Sequence, residues 1–351
     1  MSERFPAGEL ERFIAHVMTA EGLPGADAAD VARLMVAADR TGFDAHGIFR
    51  LPDYLKRIRS GGINRTPKIG ILRETASVAL VDGDNGMGHL AVEYAVRTAI
   101  GKASETGIGW AGTRNGNHAG AASVYAAMPL AHGMIGIYGA VGGGNQMPPW
   151  GGTDLLLSTN PLAVAIPAGD GTPVVMDFAT TVASMGKIRA TAQRGEAMPE
   201  GWMVARDGAP LTDPARASEG LLLPMGGYKG YALALVIGLL AGTLNGAAMG
   251  EDLLDYAADV DRAANTGQFI CALDPAAFGD AGAIGQAVDR VAGQMRGSEI
   301  MPGFDTVRVP GDGRAARLAD REENGVPIPD ALRATLDGIA RETGVAPLSN
   351  R

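Results

Sequence analysis

Asp39-Arg-Thr-Gly-Phe-Asp-Ala-His-Gly-Ile-Phe-Arg-Leu-Pro-Asp-Tyr54 joins two amphipathic segments and sets a histidine, His46, between Gly42 and Gly47. The spacing of Ile48, Leu51, Leu55 and Ile58 predicts a helix over 47–60 that closes at Gly61-Gly62. On that helix Arg50 follows His46 by one turn and Tyr54 by two, so the three side chains are expected on one face. A helix start presents free N–H groups and the positive end of a dipole, which suits an anion. Arg50 adds a planar fork that matches a carboxylate. A proton-carrying imidazole beside a carboxylate clamp is what chemistry at a 2-oxo acid needs, because the carbonyl oxygen takes a proton and the acid group needs an anchor. A histidine and an arginine so spaced also serve as capping and surface residues, so the rest of the chain decides.

Upstream, apolar residues at helical spacing predict helices over 3–20 and 27–40, giving a small helical lobe around His46. Downstream, Ser77–Val81 reads as a strand, followed by Asp82-Gly-Asp-Asn-Gly-Met-Gly-His-Leu-Ala91 and a helix to Thr106. Gly86-x-Gly88-x-x-Ala91 is close to the dinucleotide fingerprint but fits it badly. Asp82–Asn85 separate the strand from the first glycine and place two carboxylates where phosphates would bind. A second histidine, His118, stands where the loop Thr113–Ala119 opens a helix of small residues. Gly139–Gly152 is too rich in glycine and proline for regular structure.

Pro173-Val-Val-Met-Asp-Phe-Ala-Thr-Thr181 is an apolar strand ending at Asp177, a carboxylate that needs a partner such as a histidine or a ribose hydroxyl. Gly201–Gly208 suggests a hairpin arm. Lys229–Gly246 is the most apolar helix of the chain, with Gly238, Gly242 and Gly246 at every fourth place. Thr243 and Asn245 shorten it below the ~18 residues of a membrane span, so a core helix under a sheet is expected. A strand over 268–273, a helix over 281–296 and a closing helix from Pro329 complete an interleaved α/β pattern.

Composition narrows the class of protein. At 351 residues the chain exceeds one comfortable core. A net charge of −9 with no basic stripe argues against nucleic acid as a partner. Cys271 is the only cysteine, with no Cys/His cluster around it, which fits a reducing compartment and no metal site. The N-terminus carries no apolar signal region, so the cytoplasm and no membrane are expected.

With these stretches assembled, the chain resembles the second type of malate/L-lactate dehydrogenase. That family also holds ureidoglycolate, sulfolactate and 2,3-diketogulonate oxidoreductases and reductases of pyrroline- and piperideine-2-carboxylate. The resemblance rests on Ala45-His46-Gly47 with Arg50 and Tyr54, Val81–Gly88, Arg114–His118, Pro149–Gly152, Thr159-Asn160-Pro161, Met176–Thr180, Gly186-Lys187, Leu223-Pro224 to Lys229-Gly230, and Met301-Pro302-Gly303, all in the family's order.

The resemblance implies an α/β (α+β) fold in which a large, non-Rossmann mixed β-sheet domain, residues 73–304, binds NAD or NADP. A helical lobe of residues 1–72 would be joined by about 305–351. It further implies a homodimer acting on a small carboxylate substrate, a 2-hydroxy acid and its 2-oxo acid, or alternatively a cyclic imine acid; a relative that binds nucleotide without turnover is a third reading. By the same analogy His46 is the acid/base, with His118 and Asp177 as further catalytic candidates, and Arg50, Tyr54 and Thr159 contact the substrate. Asn160, Met176, Asp177, Phe178, Ala179, Thr180, Lys187, Lys229, Gly230, Pro302 and Gly303 would line the cofactor. Ala45 stands where the family commonly has serine, a loss that Asp44 could partly offset, and Ala119 replaces an aromatic residue, which should enlarge the pocket.

Overall fold

The computed structural model describes residues 2–349. The chain opens with β1 (Ser2–Phe5), α1 (Ala7–Ala20), α2 (Gly25–Arg40) and α3 (Leu51–Ser60). Next come β2 (Gly70–Glu74), β3 (Val78–Asp82), α4 (Gly88–Thr106), β4 (Ile108–Gly116), α5 (Ala122–Ala126) and β5 (Ile135–Ala140). The middle contains β6 (Leu162–Ile166), β7 (Val174–Phe178), α6 (Met185–Gln193), β8 (Met203–Val204), β9 (Leu221–Leu222) and α7 (Tyr228–Ala241). The chain finishes with β10 (Thr266–Leu273), α8 (Ala281–Arg296), α9 (Asp312–Asn324), β11 (Val326–Pro329) and α10 (Asp330–Thr343).

Seven strands form one mixed sheet in the order β2-β3-β4-β10-β5-β6-β7. Only β3 and β4 run parallel in it, joined by the α4 crossover, and the other neighbours are antiparallel. Small residues let α4 lie close on the sheet. A Cβ at Gly109 would fall 1.9 Å from the Ala99 carbonyl oxygen, so β4 can meet the alanine face of α4 only with glycine there. Ala95, Ala99, Ala103 and Ala111 pack into that contact.

A second core draws on both chain ends. Phe13, Ile14, Val17, Met35, Leu51 and Leu55 pack with Val326, Ile328, Leu336 and Ile339. β1 and β11 pair antiparallel across it, Phe5 opposite Val326.

Three expectations need correction. The helix expected over 47–60 starts only at Leu51, because Gly47 (φ −96°, ψ −136°) interrupts the chain and 44–50 forms two short 3₁₀ turns. His46, Arg50 and Tyr54 therefore do not share one continuous helical face. Second, α7 stops at Ala241, so Gly242 and Gly246 lie beyond it and only Gly238 packs from within, against Met249 and Asn160. Third, α7 is not a fully covered core helix: Tyr228, Val236 and Leu239 on its outer face are 59%, 51% and 44% exposed. Among the described residues no helix is long and apolar enough to cross a membrane. The hairpin arm is present, with Val204 bridged to Pro210 across a turn at Ala205–Ala209, and β8 pairs in addition with the more distant β9.

Candidate active site

Two distant elements fix the His46 turn. Asp39 of α2 is buried, and its carboxylate accepts the Ile48 N–H at 2.9 Å, closing the second 3₁₀ turn. Gly47 makes that possible, since a Cβ there would sit 1.9 Å from Asp39 Oδ1. Arg321 of α9 grips Asp44 through both guanidinium branches and also donates to the Asp39 carbonyl. Asp44 is thus occupied and cannot stand in for the serine hydroxyl that Ala45 lacks.

His118 is placed by the glycine run that resembled a dinucleotide fingerprint. A Cβ at Gly88 would lie 2.0 Å from the Asn117 carbonyl oxygen and 2.6 Å from that of His118, so the start of α4 presses on this loop. Asn117 is fully buried and donates to the carbonyls of Asn85 and Gly86. The glycines serve chain packing under His118. Ala119 is buried in the alanine-rich core, and Tyr125 donates to its carbonyl.

The two imidazoles stack with centroids 5.9 Å apart. Tyr54, fully buried, holds its hydroxyl 2.8 Å from His118 Nδ1, and the Gly120 N–H points at the same nitrogen from 3.4 Å. Burial pushes the Tyr54 phenol well above its usual range, so it stays an O–H donor. Two donors on Nδ1 make that nitrogen the acceptor and place the ring proton of neutral His118 on Nε2. Burial, then the charge of Arg50, hold His118 well below its ordinary pKa. The same causes lower His46 to about 4. Among the described residues neither ring nitrogen of His46 makes a hydrogen bond.

Arg50 donates Nε–H to the Ala45 carbonyl (3.0 Å) and Nη1–H to Asp53 (2.9 Å), which orients its guanidinium beside the His46 turn. Two neighbours carried no clear signal in the sequence. His89 packs edge-on against Tyr54 at 5.3 Å, and Tyr256 lies 5.8 Å from His118. Buried Arg57 of α3 delivers Tyr256 by donating to the carbonyls of Tyr256, Asp259 and Arg262. Among the described residues no group of three or more His, Cys, Asp and Glu side chains is placed to hold an ion.

The remaining candidates divide into two sets. Asp177 makes no hydrogen bond to either histidine; its carboxylate accepts the Ser123 N–H at 2.8 Å and so steadies the start of α5. Asn160 bridges α7 and the Gly142 amide through its side chain, and Thr159 offers its carbonyl to Thr180. Met176, Phe178 and Ala179 are half-buried at the end of β7. Pro302 and Gly303 lie on the exposed loop before α9, whose turn closes through Phe304 N and Met301 O.

The second set frames a wall next to His46. Met225 N–H donates to the Thr180 carbonyl, and Thr181 pairs with Pro224, so the starts of α6 and α7 sit side by side. Lys187 lies in the first turn of α6 and Lys229 in that of α7. Close packing explains Gly230, since a Cβ would strike the Met225 carbonyl at 2.1 Å. Trp150 and Tyr228 meet edge to face beside Gly227, and Gly186 abuts Ala45. Two helix starts, two lysines and aromatic faces suit the pyrophosphate and flat rings of a nicotinamide dinucleotide.

Two stacked histidines and Arg50 thus stand beside a wall that carries two helix starts, two lysines and an aromatic pair. The chain belongs to the malate/L-lactate dehydrogenase family, whose model matches residues 5–337. It is 35% identical over 353 residues to a malate dehydrogenase of Pyrococcus horikoshii, covering 97% of this chain and 96% of the relative. It is 33% identical to a Delta(1)-pyrroline-2-carboxylate reductase of Ancylobacter novellus, covering 96% and 97%. The solved sulfolactate dehydrogenase of Methanocaldococcus jannaschii superposes with a TM-score of 0.91 at 34% identity, covering 98% of each chain.

Proposed function

We propose that this chain is an NAD- or NADP-dependent oxidoreductase interconverting a small 2-hydroxy acid and its 2-oxo acid, with His46 as the acid/base and Arg50 on the substrate carboxylate. The observation that carries this reading is the unequal state of the two stacked histidines. His118, with Nδ1 occupied by donors, offers only an Nε2–H, which can hold the substrate oxygen but cannot take a proton from it. His46, neutral and without a partner, has a nitrogen free to accept the hydroxyl proton. When bound at the α6–α7 wall, the nicotinamide supplies or receives the hydride. Thr159 and the end of β7, including Asp177, contribute by keeping that wall and the start of α5 in place.

Purified protein mixed with NADH or NADPH and a panel of 2-oxo acids and cyclic imine acids, followed by nicotinamide absorbance, tests this assignment. Turnover of a 2-oxo acid is expected. Turnover of cyclic imines alone would transfer the reading to imine reduction, and binding without any turnover would leave only a nucleotide-binding relative.

The depressed His46 pKa has a measurable consequence. As a base, His46 must be neutral, and with a pKa of about 4 it remains so well below the range of an ordinary imidazole. The kcat/KM for hydroxy-acid oxidation should therefore stay flat down to about pH 5 and fall only below that. A decline centred near the ordinary imidazole value, about 6.5, would contradict the buried, Arg50-depressed His46.

The apolar outer face of α7 supports a homodimer. Val236 and Leu239 are exposed there, and at its C-terminal end Leu240 and, in the turn beyond, Leu244 line a cavity of about 750 Å³ with Leu72 and Val78 of the sheet edge. A helix apolar all round is expected to be covered on all sides, here by a second copy. Leu239→Asp should give a monomer in light scattering, because an unpaired carboxylate in an apolar interface costs several kcal/mol, on the order of 3–5. An unchanged mass would place the contact elsewhere.

A further inference from the structure

His89 touches both groups that fix His118, while neither of its own nitrogens is engaged. It is the second residue of α4 and is 1% exposed. Among the described residues neither Nδ1 nor Nε2 of His89 has a hydrogen-bond partner. Two orphaned polar atoms in one side chain are rare in a folded interior and cost free energy, so the reason for this ring lies in what it packs against. Burial lowers its pKa to about 3, so the imidazole is neutral and brings no charge to the centre.

Two contacts define its role. The first is with Tyr54, whose ring it meets edge to face with centroids 5.3 Å apart and planes at 87°. The second is with Gly120, held at φ +80°, where a Cβ would come 3.1 Å from His89 Nε2 and 3.2 Å from the His46 carbonyl oxygen. The Gly120 backbone is thus confined by the His89 ring and the main chain of His46. Tyr54 and Gly120 are the two donors aimed at His118 Nδ1, the hydroxyl at 2.8 Å and the amide at 3.4 Å. The amide contact is long and keeps its aim only while the backbone stays in place. The hydroxyl rides on a ring whose orientation is fixed by the absence of space beside it.

We propose that His89 is a positioning residue: its ring wedges Tyr54 and Gly120 so that both donors stay on His118 Nδ1, which holds the His118 proton on Nε2. That the Nε2–H then holds the substrate oxygen rests on the reaction proposed above. Without the wedge, Nδ1 competes for the proton and Tyr54 turns from donor to acceptor. Nε2 is then a bare lone pair and offers nothing to a carbonyl oxygen.

The test is NMR of the full chain carrying ring-15N histidine, because protonated and unprotonated imidazole nitrogens resonate far apart. The chain has five histidines, so His118→Ala identifies the signals to follow. The unaltered chain should show His118 in one state, protonated on Nε2. His89→Ala should move the two His118 resonances toward each other, as exchange between tautomers requires. It should also raise KM for a 2-oxo acid about two- to tenfold, the scale of one neutral hydrogen bond, with a smaller change in kcat. His89→Val keeps part of the volume but falls short of Gly120, so it should shift the signals in the same direction by less. It decides the matter if the alanine variant does not fold. Unshifted His118 nitrogens in a folded variant would overturn the proposal and leave His89 as packing alone. Shifted nitrogens with an unchanged KM would uphold the positioning role and count against the substrate contact of His118, so the two failures are distinct.

Discussion

His46→Ala should lower turnover by about 10²–10⁴, the range lost with a general acid/base, while leaving the fold intact. The fold should survive because the turn is held by Asp39 and Arg321, not by the imidazole. His118→Ala should do less harm to proton transfer and more to substrate placement, since His118 contributes a hydrogen-bond donor fixed by Tyr54. The two variants therefore separate the stacked rings by role: loss mainly in kcat for His46, and a larger share in KM for His118. Unchanged turnover in His46→Ala with collapse in His118→Ala would reverse the assignment.

Arg50→Leu should lower kcat/KM for acid substrates by about 10- to 100-fold, the equivalent of a charged hydrogen bond worth roughly 1.5–3 kcal/mol. A substrate lacking the carboxylate should be affected far less. The same change has a second signature. Arg50 contributes to the depression of both imidazoles, so its removal lets the His46 pKa rise. The acid limb of the oxidation profile should then move to higher pH. Equal losses for substrates with and without a carboxylate, and an unmoved acid limb, would mean that Arg50 only braces the turn through Ala45 and Asp53.

Much of this centre could be read in the chain, and what could not has physical reasons. His46 and His118 stand out because each is bracketed by residues that open a turn, a local feature that sequence displays. The extent of the helix after His46 does not, because it depends on a carboxylate on the preceding helix and a glycine that must leave room for it. Tyr54 was placed on a shared face by helical spacing, yet its hydrogen bond is to His118, 64 residues on. Arg321, 277 residues from Asp44, and the β1–β11 pairing are contacts between the chain ends that no local pattern announces. The glycines near Gly88 carried a correct structural message with an incorrect chemical suggestion: close backbone approach, not phosphate. The apolar run of α7 was visible, but composition alone does not tell a core helix from one whose outer face awaits another surface.

In the proposed reaction hydride passes between a nicotinamide and the α-carbon of a 2-hydroxy acid while His46 moves the proton. Its most direct test is to supply the reduced cofactor deuterated at C4, in each stereochemical form, with a 2-oxo acid that the protein consumes, and to examine the product by mass spectrometry and NMR. One of the two forms is expected to deliver its deuterium to the α-carbon of the 2-hydroxy acid, and His46→Ala should slow the transfer without changing its position. Oxidation of the cofactor with no deuterium at that carbon from either form would contradict it.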